Sequence, residues 1–468
     1  MPVRSRLRVH IQPRSRFRHI HRTAVERLTS ARRSPRRDAL RVAVTELSPT
    51  VAGEQCFKAY TNESRLSLSE NPQKSKEGSA LRAIRSEWLA LDLRSLALMR
   101  IGLGLLCCFD AVTRLLFFRA HYTAAGVLPL SSQLAPGSRA SSLWSVSFLS
   151  DSWLWAGLCL SLYALAGLSL ALGYRSRIAG WLCWILAVSI QRRVPLLNDG
   201  GDAYLVALLF WANFMPLEGA FSIRSAPNPH TLYSRLPGFC YIAQVAVLYW
   251  FSAVLRTGRE WQVDSSALYY ALLIPSMAAW AAPYLLALGT KALAFFTDAT
   301  LFLEQIGPVL LFLPFERLRL VSVTLIVGFH LGIMASIRIP FFATLCVVGA
   351  LGLLPAKFWE LGFVHRSAQS IEAILARSNY RCQTTGLALK SDRGWTDTAF
   401  NFAPAFFFLV VLSNLYAGIF SLSPETALSP LSRNLSLNQR WGMFSPHASN
   451  VIGWETVVGL TATGREVG

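Results

Sequence analysis

Ionisable side chains inside apolar blocks are where this chain could do chemistry, because each is costly out of water and needs a partner or a task. Arg100, Asp110 and Arg114 share one such block. At about 100° per helical residue they fall within an arc of roughly 80°, and Asp110 and Arg114 are spaced i,i+4 for pairing. Two readings are open: an internal ion-pair network that locks helices together, or an anion or headgroup site facing a polar cavity. His330, in the run VGFHLGIM, is a second candidate. It serves either as a hydrogen-bonder between helices or as a catalytic or ligand-binding group. The third is Asn198-Asp199-Gly200-Gly201-Asp202. It reads as a plain acidic turn, in which Asp202 is either a helix N-cap or a reactive carboxylate.

These groups need elements to hold them, and the composition points to a bilayer. Of 468 residues 53% are hydrophobic and only 15% charged, against about 25% charged in an average soluble protein. The apolar residues come in blocks long enough to span a hydrocarbon core of about 30 Å. The expected fold is an all-α polytopic membrane bundle of about nine transmembrane helices. The spans are placed at 95–118, 153–173, 177–194, 203–219, 239–256, 285–313, 318–336, 339–356 and 402–421. The stretch 266–284 is ambiguous between an interfacial segment and a tenth span, and its Pro275 and Pro283 argue against one unbroken helix. The polar loop 357–400 has room for a short helix near Gln369 to Ser378.

The net charge of +19 is concentrated in the first 41 residues, where a run of arginines meets only Glu26 and Asp38. Residues 1–90 are therefore expected to be a basic, disordered tail lying in the cytoplasm by the positive-inside rule, and no nucleic acid is expected as a partner. No signal-peptide pattern is seen there, so insertion is expected to rely on the spans themselves. Arg175, Arg177, Arg224 and Arg235 mark loops on the same side, while Arg192 and Arg193 break the rule. Nine spans then put the C-terminus on the non-cytoplasmic side. Residues 422–468 form a small extramembrane segment in which Ile452 to Leu460 alternates like a strand. It ends at Gly468 without an obvious partner strand, as a truncated or frame-shifted terminus would. Six of the eight cysteines fall in apolar blocks, Cys56 and Cys382 could pair, and no metal-ligand spacing is present. Phosphate-loop, dinucleotide-binding, HExxH and GxSxG motifs are missing, and no internal repeat suggests a transporter.

A set of short motifs, in order, resembles a known family. Arg100-Ile-Gly-Leu-Gly, Asp110, Arg114, Tyr122 and Gly126-Val-Leu-Pro129 are similar to the opening of the horizontally transferred transmembrane (HTTM) domain, which is related to the vitamin K-dependent γ-carboxylase. Leu172-Gly173 with Arg177, the Gly200-Gly201-Asp202 turn, Phe214-Met215-Pro216-Leu217 and Tyr249 to Trp261 follow. Phe329-His330, Ile339-Pro340-Phe341, Leu353-Leu354-Pro355 and Gln439 to Pro446 complete the set. The last of these is similar to a signature found after the final span of bacterial members.

The resemblance covers residues 94–460 and implies a transmembrane domain at 94–421 with a non-cytoplasmic active site. It also implies a reduced quinone of the vitamin K type as cofactor and a protein glutamate as substrate. Asp202, His330 and Arg256 would surround that ligand, with Arg100, Asp110, Arg114 and Trp261 as further binding residues. The family's lysine base stands five residues before Trp261, where this chain has Arg256. A guanidinium cannot act as a base. Glutamate carboxylation itself is therefore not expected, and any proton would pass to Asp202 or His330. Arg256 either orients an anion or snorkels at a span end. A non-catalytic lipid-binding or assembly scaffold is the alternative.

Overall fold

The computed structural model describes residues 89–223, 232–382, 395–419, 428–448, 459–460 and 466–467. They belong to one compact unit, Arg82–Gly468. Nearly all of the basic tail, Arg224, Cys56 and most of the strand at Ile452 lie outside the described residues.

Ten helices carry the architecture. They are α1 (Leu93–Leu116), α2 (Trp153–Leu172), α3 (Ser176–Arg193), α4 (Gly200–Ala212), α5 (Leu236–Leu255), α6 (Thr290–Leu311), α7 (Glu316–Ser336), α8 (Pro340–Leu351), α9 (Gly362–Cys382) and α10 (Trp395–Ile419). Five of them, α1, α2, α5, α6 and α7, are long and apolar enough to cross a membrane. Their outward faces carry large apolar side chains, among them Phe109, Leu116, Leu165, Phe295, Phe302 and Leu331. Water would penalise that pattern and hydrocarbon would not. The chain is thus a helical protein with the character of an integral membrane protein.

The other four expected spans fall on elements that fail the same test. The α3 helix carries Arg177, Arg192 and Arg193 within 18 residues. The α4 and α8 helices have 13 and 12 residues, which is roughly 20 Å of helix at about 1.5 Å per residue. In α10 the apolar stretch is Ala403–Ala417. The physical reason is visible at both short helices. Met215, Leu217, Leu353 and Leu354 extend the apolar runs, yet they are buried in turns after the helices end.

One open reading is resolved and two expectations are revised. The stretch 266–284 folds as two short helices, Ala267–Leu273 and Ala282–Ala287, separated at Pro275 and tied to the end of α7 by a bridge between Ala278 and Ile337. At the C-terminus, Gly459–Leu460 pairs antiparallel with Glu466–Val467, so the strand has a partner within the chain. The loop after residue 357 holds a helix much longer than expected, the 21-residue α9.

Local chemistry sets the helix ends. The Asp92 carboxylate caps α1 by accepting the Arg94 N–H at 2.8 Å. Gly173, at φ 73°, closes α2 in a left-handed conformation suited to glycine. Packing of α1 on α2 rests on two glycines at a backbone crossing: a Cβ on Gly104 would sit 2.5 Å from the Gly167 carbonyl oxygen and the Ala171 nitrogen. Gly104→Leu is therefore expected to force the helices apart and cost about 1–3 kcal/mol. It should lower the thermal midpoint in detergent, whereas Gly157→Ala, where a Cβ meets open space, should leave that midpoint unchanged.

Candidate functional site

The α5, α6 and α7 helices, the short helix Ala267–Leu273 and residues Met443 and Phe444 enclose a cavity of about 400 Å³, lined almost wholly by apolar groups. Two polar pairs interrupt that lining. The Tyr249 hydroxyl lies 2.9 Å from His330 Nε2, joining α5 to α7. Arg256, at the C-terminus of α5, forms an ion pair with Glu304 in the middle of α6. Its guanidinium carbon stands 4.3 Å from the centre of the Trp261 ring, a cation–π contact. His330 and Arg256 are 1% and 5% exposed. Each nevertheless keeps a nitrogen without a protein partner, His330 Nδ1 and Arg256 Nε. Buried polar atoms left unpaired cost about 1–3 kcal/mol each.

The C-terminal segment finishes the wall. Trp261 Nε1 donates to the Phe444 carbonyl at 2.8 Å, and the Gly258 N–H donates to the Pro446 carbonyl at 2.8 Å. Glu260 lies beside this contact. A backbone N–H and, next, the His447 ring 3.3 Å away hold its carboxyl below the ordinary carboxylate range, against the opposing effect of burial. Further back, Gln244 Nε2 donates to Gln439 Oε1 at 2.8 Å while Gln439 Nε2 donates to Gln244 Oε1 at 3.1 Å. Trp211 and Trp441 complete this amide pair with their ring N–H groups. Arg192 donates to the carbonyls of Arg433 and Asn434, which anchors the same segment to α3.

Of the residues expected to form the site, His330, Arg256 and Trp261 converge on this cavity. Asp202, Asp110 and Arg114 form a separate cluster. Arg114 Nε lies 2.6 Å from Asp110, Nη2 lies 2.5 Å from Asp202, and Nη1 donates to the Tyr122 hydroxyl at 2.8 Å. Asp202 also closes a capping box, accepting the Asp199 N–H at 2.9 Å while Asp199 accepts two N–H groups of α4. The turn is not part of the cavity lining, but Gly200 packs close to Phe342 and Met443, which are. Arg100 stands apart from both groups. Ten residues of helix put it about 15 Å from Asp110, and its Nη2 donates to the Phe221 carbonyl at 2.5 Å. The common arc did not imply a common network.

Glu304 and Tyr249 were missed as site residues. Glu304 was open to the same logic that marked Arg100 and Asp110, since it is an ionisable group inside an apolar block. Tyr249 carries no such signal, because a tyrosine in a span has many uses. Compared with known proteins, the chain matches no family model, no curated protein and no solved structure.

The Arg114 cluster has the geometry of a structural lock. Arg114→Met alone would leave two buried carboxylates without their cation, at a cost of about 3–5 kcal/mol. Adding Asp110→Asn and Asp202→Asn should recover most of that loss, measured by thermal unfolding in detergent. A single Arg114→Met variant as stable as the parent would show that the cluster carries no structural weight.

Proposed function

We propose that this chain is a membrane protein of the γ-carboxylase-like class that binds a quinone-type lipid in the cavity between α5, α6 and α7. The observation that carries the reading is the meeting of two polar pairs, Tyr249–His330 and Arg256–Glu304, inside one apolar cavity of about 400 Å³. That volume is within the range of small-molecule sites. The apolar walls suit a substituted ring, and the polar side chains of His330 and Arg256 in the lining suit its oxygens. A lipid of this kind would supply the redox chemistry. The residues of the chain would exclude water, orient the ring and hold its oxygens at two ends. Glutamate carboxylation is not part of the proposal, because a guanidinium stands where the resembling family has its lysine.

The same reading takes all nine apolar elements as crossings, with the N-terminus cytoplasmic and the C-terminus on the far side. Short helices such as α4 and α8 are tolerated at membrane depth where their ends are buried in protein, and both lie among buried neighbours. Arg192 and Arg193 cease to count against this orientation. Arg192 is spent on carbonyls, and Arg193 pairs with Asp151 at 2.5 Å. A non-catalytic lipid-binding scaffold is the second reading, favoured by one observation: the Arg256 charge is already neutralised by Glu304.

Protein purified in mild detergent should retain a quinone in preference to bulk phospholipid, identified by mass spectrometry, and Arg256→Ala should release it. Phospholipid alone, in both proteins, would defeat the quinone reading. The two functional readings part on Arg256→Lys, which restores a titratable amine. Quinol oxidation gained by that variant would mark an enzyme site, and an inert variant would favour the scaffold.

A further inference from the structure

We propose that Glu304, and not Arg256, accepts the hydroxyl proton of a phenol-class ligand in this cavity, and that Arg256 then moves its ion pair from the carboxylate to the new oxyanion. The inference rests on the lipid-site reading above and assigns the proton-accepting residue within it. Glu304 lines the cavity, is 3% exposed, and shares its wall with Arg256, Ser252 and Trp261. Three groups there could receive a proton in principle. Arg256 is excluded, since a guanidinium is protonated at any accessible pH. His330 bonds Tyr249 through Nε2, and among the described residues no carboxylate pairs with it. A proton on His330 would create an imidazolium with no carboxylate in direct contact, a second buried cation in a cavity lined mostly by apolar groups. A proton on Glu304 creates nothing new.

The charge count makes the point. Before transfer the cavity holds one guanidinium and one carboxylate. The ligand O–H bond breaks, the carboxylic acid O–H bond forms, and no electron changes hands. Afterwards the cavity holds one guanidinium and one phenolate, so its net charge is zero throughout. In water a carboxylate is about a million-fold too weak a base to keep a phenolic proton. Here the transfer keeps one anion beside the same guanidinium and creates no new buried charge. The planar fork of arginine can face two acceptors at once, which a lysine ammonium does with less direction.

The test uses the full chain in lipid nanodiscs and a long-chain alkyl nitrophenol, whose phenolate absorbs in the visible. Binding is measured at two pH values one unit apart, both below the probe's solution pKa, with empty nanodiscs as the reference. Wild type should hold the probe as phenolate with the same Kd at both pH values, because the proton stays on the protein. In Glu304→Gln the proton must leave for water, so phenolate binding should weaken about tenfold for the unit drop in pH. The double variant Arg256→Met with Glu304→Gln, which leaves no unpaired charge, should bind the probe as neutral phenol. Wild type binding neutral phenol, or losing tenfold per pH unit, would overturn the assignment of Glu304 and leave the lipid site standing. Failure of wild type to retain the probe above empty nanodiscs would overturn both.

Discussion

A guanidinium taken out of water must be received by a carboxylate or by carbonyl oxygens, and the rest of this structure depends on how that demand is met. Arg94 turns onto Asp92 at 2.7 Å and holds the start of α1. Arg193 reaches Asp151, Arg256 reaches Glu304, and Arg114 sits between Asp110 and Asp202. Arg192, Arg100 and Arg319 donate to carbonyls, those of Asn434, Phe221 and Ala90 among them. Most of these ties join segments far apart in the chain. In a bundle whose outer face is apolar, hydrophobic burial distinguishes poorly between helix arrangements. The charged contacts supply the missing selectivity.

How much of this could be read from the residues follows from what each pattern measures. Apolar runs of 18 or more residues marked α1, α2, α5, α6 and α7, because length and hydropathy together imply a span. The 203–219 and 339–356 runs misled on length. Hydropathy reports burial, and in this chain Met215, Leu217, Leu353 and Leu354 are buried in turns. Spacing of i,i+4 disclosed Asp110 with Arg114, since both partners sit on one helix. It could not disclose Asp202, which joins them from 88 positions away. Arg256 stood out only because a resembling family has lysine there. Its partner Glu304 lies on another helix, and no local pattern links the two.

The C-terminal segment shows how a polar contact shapes an apolar site. Gln244 and Gln439 satisfy each other's amides in a buried setting, so neither can be exchanged for a hydrocarbon without stranding the other. The pair fixes where the chain lies after α10. From that point Met443 and Phe444 reach the cavity, and the Phe444 carbonyl fixes the Trp261 ring. Trp261 in turn offers its face to Arg256. The orientation of the guanidinium is thus governed by residues nearly two hundred positions downstream, through one aromatic ring.

The arginine at position 256 and the glutamate at position 304 are best understood together. A lysine buried alone in a dry cavity can escape its desolvation cost by shedding a proton, which is what makes such lysines useful bases. An arginine has no such escape and must bring a compensating anion with it. Glu304 is that anion. A lone lysine site carries a charge that comes and goes with its proton. The Arg256–Glu304 site carries two opposite charges and no net one, so a ligand is sorted by where it can place an oxygen between them rather than by its own charge. In the proposed lipid site that balance would favour a neutral, oxygen-bearing ring over an anionic headgroup, because an anion entering beside Glu304 would have to displace a carboxylate already held by Arg256, the only arginine or lysine lining the cavity among the described residues.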